Sequence, residues 1–137
     1  MGRLLALDYG KKRTGIAVTD ELQLIATALT TVPTVELLDF LKDYAKKEKI
    51  ARFIVGEPRQ MNNTPSDSEA FIAPFLIRLA TEFPNIPIDR QDERFTSKMA
   101  VQSMVVTGVK KKKRRNRNLI DEISATIILQ AYLNKKR

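Results

Sequence analysis

The stretch Leu4 to Asp20, LLALDYGKKRTGIAVTD, constrains the fold most. Leu4, Leu5, Ala6 and Leu7 are apolar on both parities, the pattern of a strand covered on both faces in the middle of a sheet. The run ends on the carboxylate of Asp8. Residues Tyr9 to Gly15 then turn the chain into a second apolar run, Ile16 to Val18, which reads as a hairpin. A carboxylate at the end of a central strand is partly desolvated and costly unless it meets a cation, a metal or several donors. The amides of the Gly10 to Gly15 turn are one such set of donors, and a metal is another.

Charge and residue inventory narrow the chemistry. The chain has 137 residues, no cysteine and no histidine. Disulfides, thiolate metal sites and imidazole catalysis are therefore excluded. Acids, bases and metal ligands must come from Asp, Glu, Lys, Tyr or backbone, and an all-oxygen site favours Mg²⁺ or Mn²⁺ over zinc. A formal net charge of +8 points to an anionic partner, most economically nucleic acid. No apolar run is long enough to span a bilayer, so the expectation is a cytoplasmic protein with no membrane partner.

Along the chain, strands and helices alternate with short connections, as expected of a single domain over residues 1–137. Leu24 to Val32 suits a third strand ending before Pro33. Thr34 is placed to cap a helix with Leu37, Leu38, Leu41 and Ala45 on one face. Arg52 to Gly56 reads as a buried strand, followed by a polar loop through Ser66. A helix opens at Asp67 or Ser68, carries Phe71, Ile72, Phe75, Leu76 and Leu79, is interrupted by Pro74 and ends by Pro84. Ile86 to Arg90 is a short strand, and a further helix starts at Thr96 or Ser97. The block Lys110 to Arg117, KKKKRRNR, repels itself and reads as a solvated loop. Asn118, with Asp121 three residues later, approximates a capping box for a closing helix to Leu133 that is apolar on most sides. Asp121 shares the face of Ala125 and Ile128.

Three leading hairpin strands followed by crossover helices and further strands make an α/β fold, a mixed five-stranded sheet with helices on both faces. That is the topology of the ribonuclease H superfamily, in which the first strand is central and carries an aspartate. Candidates for the remaining carboxylates are Asp92 or Glu93 at the end of the last strand and Asp121 on the closing helix.

Four motifs then carry a resemblance: LALDYGKKRTGIAV, VGEPRQMNNT, DERFTS and IDEISATIILQAYL, in this order and over nearly the whole chain. Together they resemble the YqgF family of bacterial proteins, also called RuvX, whose members are described as Holliday junction resolvases or pre-16S rRNA nucleases. Glu57 and Asn63 stand where the family usually has leucine and glycine. The resemblance implies phosphodiester hydrolysis with two divalent ions, Mg²⁺ or Mn²⁺, about 4 Å apart. By motif position Asp8 is the bridging ligand, with Glu93 and Asp121 completing the site. Asp92, on the alternate side of its strand, faces away or pairs with Arg94.

Lys11, Lys12 and Arg13 beside Asp8, with Arg94, are candidates for contact with nucleic acid. So are Lys110, Lys111, Lys112, Lys113, Arg114 and Arg115 ahead of Asp121. Asn62, Asn63 and Thr64 contact substrate or build the turn after Pro58. The apolar helix faces are all taken up in covering the sheet, which favours a monomer and a single cut in single-stranded RNA; the resemblance implies that this RNA is precursor 16S rRNA, with the pre-ribosomal particle as partner. Junction resolution, which needs paired sites in a two-fold dimer, is the alternative. Two other classes compete: a binding module without turnover, and an actin-like nucleotide-binding domain, for which the second phosphate loop is missing.

Overall fold

The computed structural model describes residues 2–58, 68–93 and 117–136. Strands β1 (Arg3–Tyr9), β2 (Arg13–Thr19), β3 (Ala26–Pro33), β4 (Ile50–Glu57) and β5 (Ile88–Asp92) form one sheet in the order β3-β2-β1-β4-β5. β1 is central, antiparallel to β2 and parallel to β4, and β5 is parallel to β4. Helices α1 (Leu37–Lys47), α2 (Glu69–Glu82) and α3 (Arg117–Lys136) cover the sheet. The mixed five-stranded α/β sheet read from the sequence is the one observed.

The period of two along β1 decides which helix covers which side. Leu5 and Leu7 join Ile16, Val18, Phe53 and Val55 beneath α1 and α2, which contribute Leu37, Leu41, Ile72, Phe75 and Leu79. Leu4 and Ala6 join Ala17 and Ile54 beneath α3, which contributes Ala125, Ile128, Leu129, Tyr132 and Leu133. The α3 side of the sheet is floored by small residues, Ala6, Gly15, Ala17 and Gly56, so this helix lies close to it. Its far end is tied by a polar contact: the Tyr132 hydroxyl and Arg52 Nη1 both donate to Asp89 Oδ2.

Local signals failed where longer-range partners outbid them. Thr34 does not cap α1; a 3₁₀ turn, Thr34–Glu36, precedes that helix. The Thr34 hydroxyl instead donates to the Gly10 carbonyl at 2.6 Å and accepts from Thr14 Oγ1 at 2.9 Å. Its N–H donates to the Lys12 carbonyl, so the β1–β2 turn is fastened to the chain after β3. β3 starts only at Ala26, because the Asp20 carboxylate accepts from the N–H groups of Leu22, Leu24 and Ile25 and holds them in a loop. Pro33 is inside the strand, opposite Arg13. Pro74 lies within α2 and does not end it, and Ser68 gives no side-chain cap. β5 begins two residues later than Ile86. Asn118 falls inside α3, which is already helical at Arg117, so it is not the cap. The helix expected from Thr96 or Ser97 and the Lys110 block lie outside the described residues, except for the backbone of Arg117.

The helix faces read from the sequence do pack on the sheet, but apolar surface remains outside them. Val35 is 91% exposed and Ile77 69%, and with Leu38 they line a groove of about 390 Å³ between α1 and α2. Leu22, Leu24 and Ile25 are exposed as well.

Candidate active site

Asp8 is the penultimate residue of β1 and faces α3, as Leu4 and Ala6 do. Its neighbour Tyr9 faces the other way and stacks on Phe75, with ring centroids 4.4 Å apart. Across the hairpin Asp8 is in register with Gly15. On the other side β4 and β5 run parallel, and the Glu93 N–H donates to the Glu57 carbonyl at 3.2 Å, one step beyond the strand. That extension of the ladder carries the Glu93 side chain over Gly56 to Asp8.

Two glycines make this convergence possible. A Cβ on Gly56 would come within 2.7 Å of Glu93 Oε2 and 2.9 Å of Ile128 Cδ1. A Cβ on Gly15 would overlap the backbone carbonyl of Asp121. Gly15→Ala is therefore expected to push α3 off the sheet and cost about 3 kcal/mol. Urea unfolding would read the loss, and a variant as stable as the parent would show that α3 does not dock this closely.

Asp8 and Glu93 are hydrogen-bonded through their carboxyl groups. Burial raises the Asp8 pKa, and the charge of Asp121 raises it further, while the Glu93 hydrogen bond and the Arg13 charge oppose the rise. Burial, followed by the charge and hydrogen bond of Asp8, raises Glu93 well above the usual carboxylate range. The pair thus retains a proton in this environment, carried mainly on Glu93.

Asp121, near the described start of α3, completes the acidic set from the third side. Its Oδ2 accepts from Arg13 Nε at 2.5 Å. Among the described residues no three acidic side chains converge closely enough to enclose one ion; Asp8 and Glu93 are in contact, and Asp121 is turned to Arg13. The donor set nevertheless suits a hard divalent cation. It is all oxygen, and two of its members are half-buried acids whose mutual repulsion a proton now relieves.

The basic candidates divide. Lys11 and Lys12 are exposed in the β1–β2 turn, and with Gly10, Arg13 and Asp121 they line a cavity of about 310 Å³. Arg94, Asn62, Asn63, Thr64 and Lys110 to Arg115 lie outside the described residues. Asp92 closes β5 in register with Glu57. One supporting residue had no signal in the sequence. Arg90 makes two bonds to Glu69, at 2.7 and 3.2 Å, and donates to the carbonyls of Val55 and Gly56, so it clamps the strand ends beneath Glu93 to the start of α2. Only the fold brings Arg90 and Glu69, 21 positions apart, into contact.

Comparison with known proteins places the chain in a family. The model of the RuvX family, described as Holliday junction resolvase, matches residues 2–135. A Christiangramia forsetii protein named "Putative pre-16S rRNA nuclease" is 63% identical over 133 residues, covering 97% of this chain and 98% of its own. A Flavobacterium johnsoniae protein of the same name is 58% identical over 137 residues, covering 100% and 99%. Among solved structures, "T. thermophilus RuvC in complex with Holliday junction substrate" superposes with a TM-score of 0.60 at 15% identity, covering 99% of this chain and 96% of that one. At that identity the likeness speaks for the fold alone, which is ribonuclease H-like. Matched by the family model almost end to end and by such relatives along its full length, the chain belongs to the RuvX (YqgF) family.

Proposed function

We propose that this chain is a divalent-metal-dependent nuclease that trims the 5′ end of precursor 16S rRNA in the cytoplasm, acting as a single catalytic domain. The observation that carries the reading is the half-buried Asp8–Glu93 pair at one end of the sheet, with Asp121 beside it and Lys11, Lys12 and Arg13 at its rim. The names of the relatives supply the substrate.

Asp8, Glu93 and Asp121 would hold the ions. Mg²⁺ or Mn²⁺ bound there would lower the pKa of the attacking water and offset charge on the leaving oxygen. To bind a cation, Asp8 and Glu93 must first give up the proton they share, so ion uptake releases a proton. Lys11 and Lys12 are free to reach the non-bridging phosphate oxygens while the acids stay behind them. In the reaction a water oxygen bonds to phosphorus, the bond from phosphorus to the leaving sugar oxygen breaks, and that oxygen takes up a proton as the water loses one.

A four-way DNA junction is the second reading, favoured by the family description and by the exposed groove of Val35, Leu38 and Ile77, which offers apolar surface for two-fold pairing. Sedimentation at micromolar protein, with Mn²⁺ or Mg²⁺ assays on a labelled rRNA leader and an immobile junction, separates the two. The expected result is a monomer that makes single cuts in the leader. A stable dimer that nicks the junction symmetrically and ignores the leader would reverse the choice.

A further inference from the structure

We propose that Arg13 is the resident counter-cation of Asp121, which a divalent ion must displace, and that the released guanidinium then serves the substrate phosphate. The proposal rests on the metal-dependent reading above. Arg13 Nε lies 2.5 Å from Asp121 Oδ2, and the two side chains are 34% and 19% exposed, so the pair is partly shielded yet open to solvent on one side. Its charge also reaches Asp8, where it opposes the rise caused by burial and by Asp121. Arg13 therefore offsets in part the negative charge of the same carboxylates that would hold a cation.

The surroundings are built for a side chain that changes partners while its backbone stays put. Arg13 opens β2 in register with Pro33, and the preceding Lys12 carbonyl accepts from the Thr34 N–H, which fixes the main chain on both sides. The guanidinium borders the cavity of about 310 Å³ that it shares with Gly10, Lys11, Lys12 and Asp121, so it has space to turn without moving a strand. A guanidinium stays charged throughout and its fork fits a carboxylate or a phosphate equally well. A dication held by Asp121 would repel the guanidinium, and a substrate phosphate lying along Lys11 and Lys12 would give it a replacement anion.

The alternative role, an ion pair that only pins α3 to β2, makes a different prediction for metal affinity. Mn²⁺ binding to the intact protein without nucleic acid, followed by the electron paramagnetic resonance of free Mn²⁺, reads this directly. Arg13→Gln should bind Mn²⁺ about tenfold more tightly than wild type, because no resident cation is displaced, and should bind single-stranded RNA more weakly. Arg13→Lys, which keeps a charge but loses the fork, should tighten Mn²⁺ binding by a smaller factor. In an Asp121→Asn background the Arg13→Gln gain should vanish, which localises the effect to this pair. Mn²⁺ affinity at or below wild type in both folded Arg13 variants overturns the proposal while leaving the metal-dependent reading standing. Failure of wild type and variants alike to bind Mn²⁺ overturns both.

Discussion

Asp8→Asn is expected to abolish hydrolysis, by on the order of 10³-fold or more, while leaving nucleic-acid affinity largely intact. That rate loss corresponds to about 4 kcal/mol of transition-state stabilisation, within reach of a single group that acts on developing charge. Affinity should survive because, on the proposed reading, the phosphates would be met by the lysines at the rim and not by this half-buried acid.

The same substitution should raise the melting temperature of the metal-free protein. Asp8 and Glu93 both titrate above the ordinary carboxylate range near 4. Between that range and their raised values the folded state holds protons that the unfolded chain has released, so stability falls as pH rises through the window. At neutral pH the cost of housing both acids remains. Asn in place of Asp removes the charge that, after burial, does most to hold Glu93 protonated, and so stabilises the metal-free fold by about 2 kcal/mol and flattens its pH dependence. Mn²⁺ should raise the melting temperature of wild type far more than that of the variant. Turnover unchanged in Asp8→Asn would remove the site assignment. A large fall in its metal-free melting temperature would mark Asp8 as structural.

What the sequence made legible follows the reach of each signal. The double-parity run Leu4 to Leu7 specified a central strand because period two sorts its side chains to opposite faces, and both faces prove to be buried under helices. Asp8 was legible for the same reason, as the polar residue that ends that run. Glu93 was separable from Asp92 only through the family pattern. Its structural reason is Gly56, which sits 37 positions earlier in the chain and leaves the gap that the side chain crosses. The Arg13–Asp121 pair spans 108 positions, and no local periodicity can join residues so far apart. Thr34 failed as a cap because its hydroxyl found Gly10 and Thr14, a tertiary alternative worth at least as much as one capping bond. Val35 and Ile77 fell outside the faces read from the sequence, because a helical pattern marks one apolar side and says nothing of apolar residues beyond it.

Replacement of Lys110 to Arg115 by Ser or Gln is expected to weaken nucleic-acid binding across all sequences, on the order of 10²-fold at low salt. In sequence these cations directly precede α3, the helix that carries Asp121, and among the described residues Lys11 and Lys12 line the cavity beside Asp121. On the proposed reading a strand drawn into the site would meet positive charge from both segments of chain. For every phosphate left without its cation, the slope of log affinity against log salt should fall by about 0.7 for a single strand, because fewer counterions are released. Base preference should stay as it was, since cations on phosphates position the strand without reading it. Turnover at saturating substrate should change much less than affinity, because the acids are untouched and only uniform binding has been removed. Titrations at several salt concentrations, run on wild type, on this variant and on a Lys11→Gln/Lys12→Gln variant, apportion phosphate binding between the two segments. A salt slope equal to wild type in the first variant would make that block a bystander and leave the turn after β1 as the clamp.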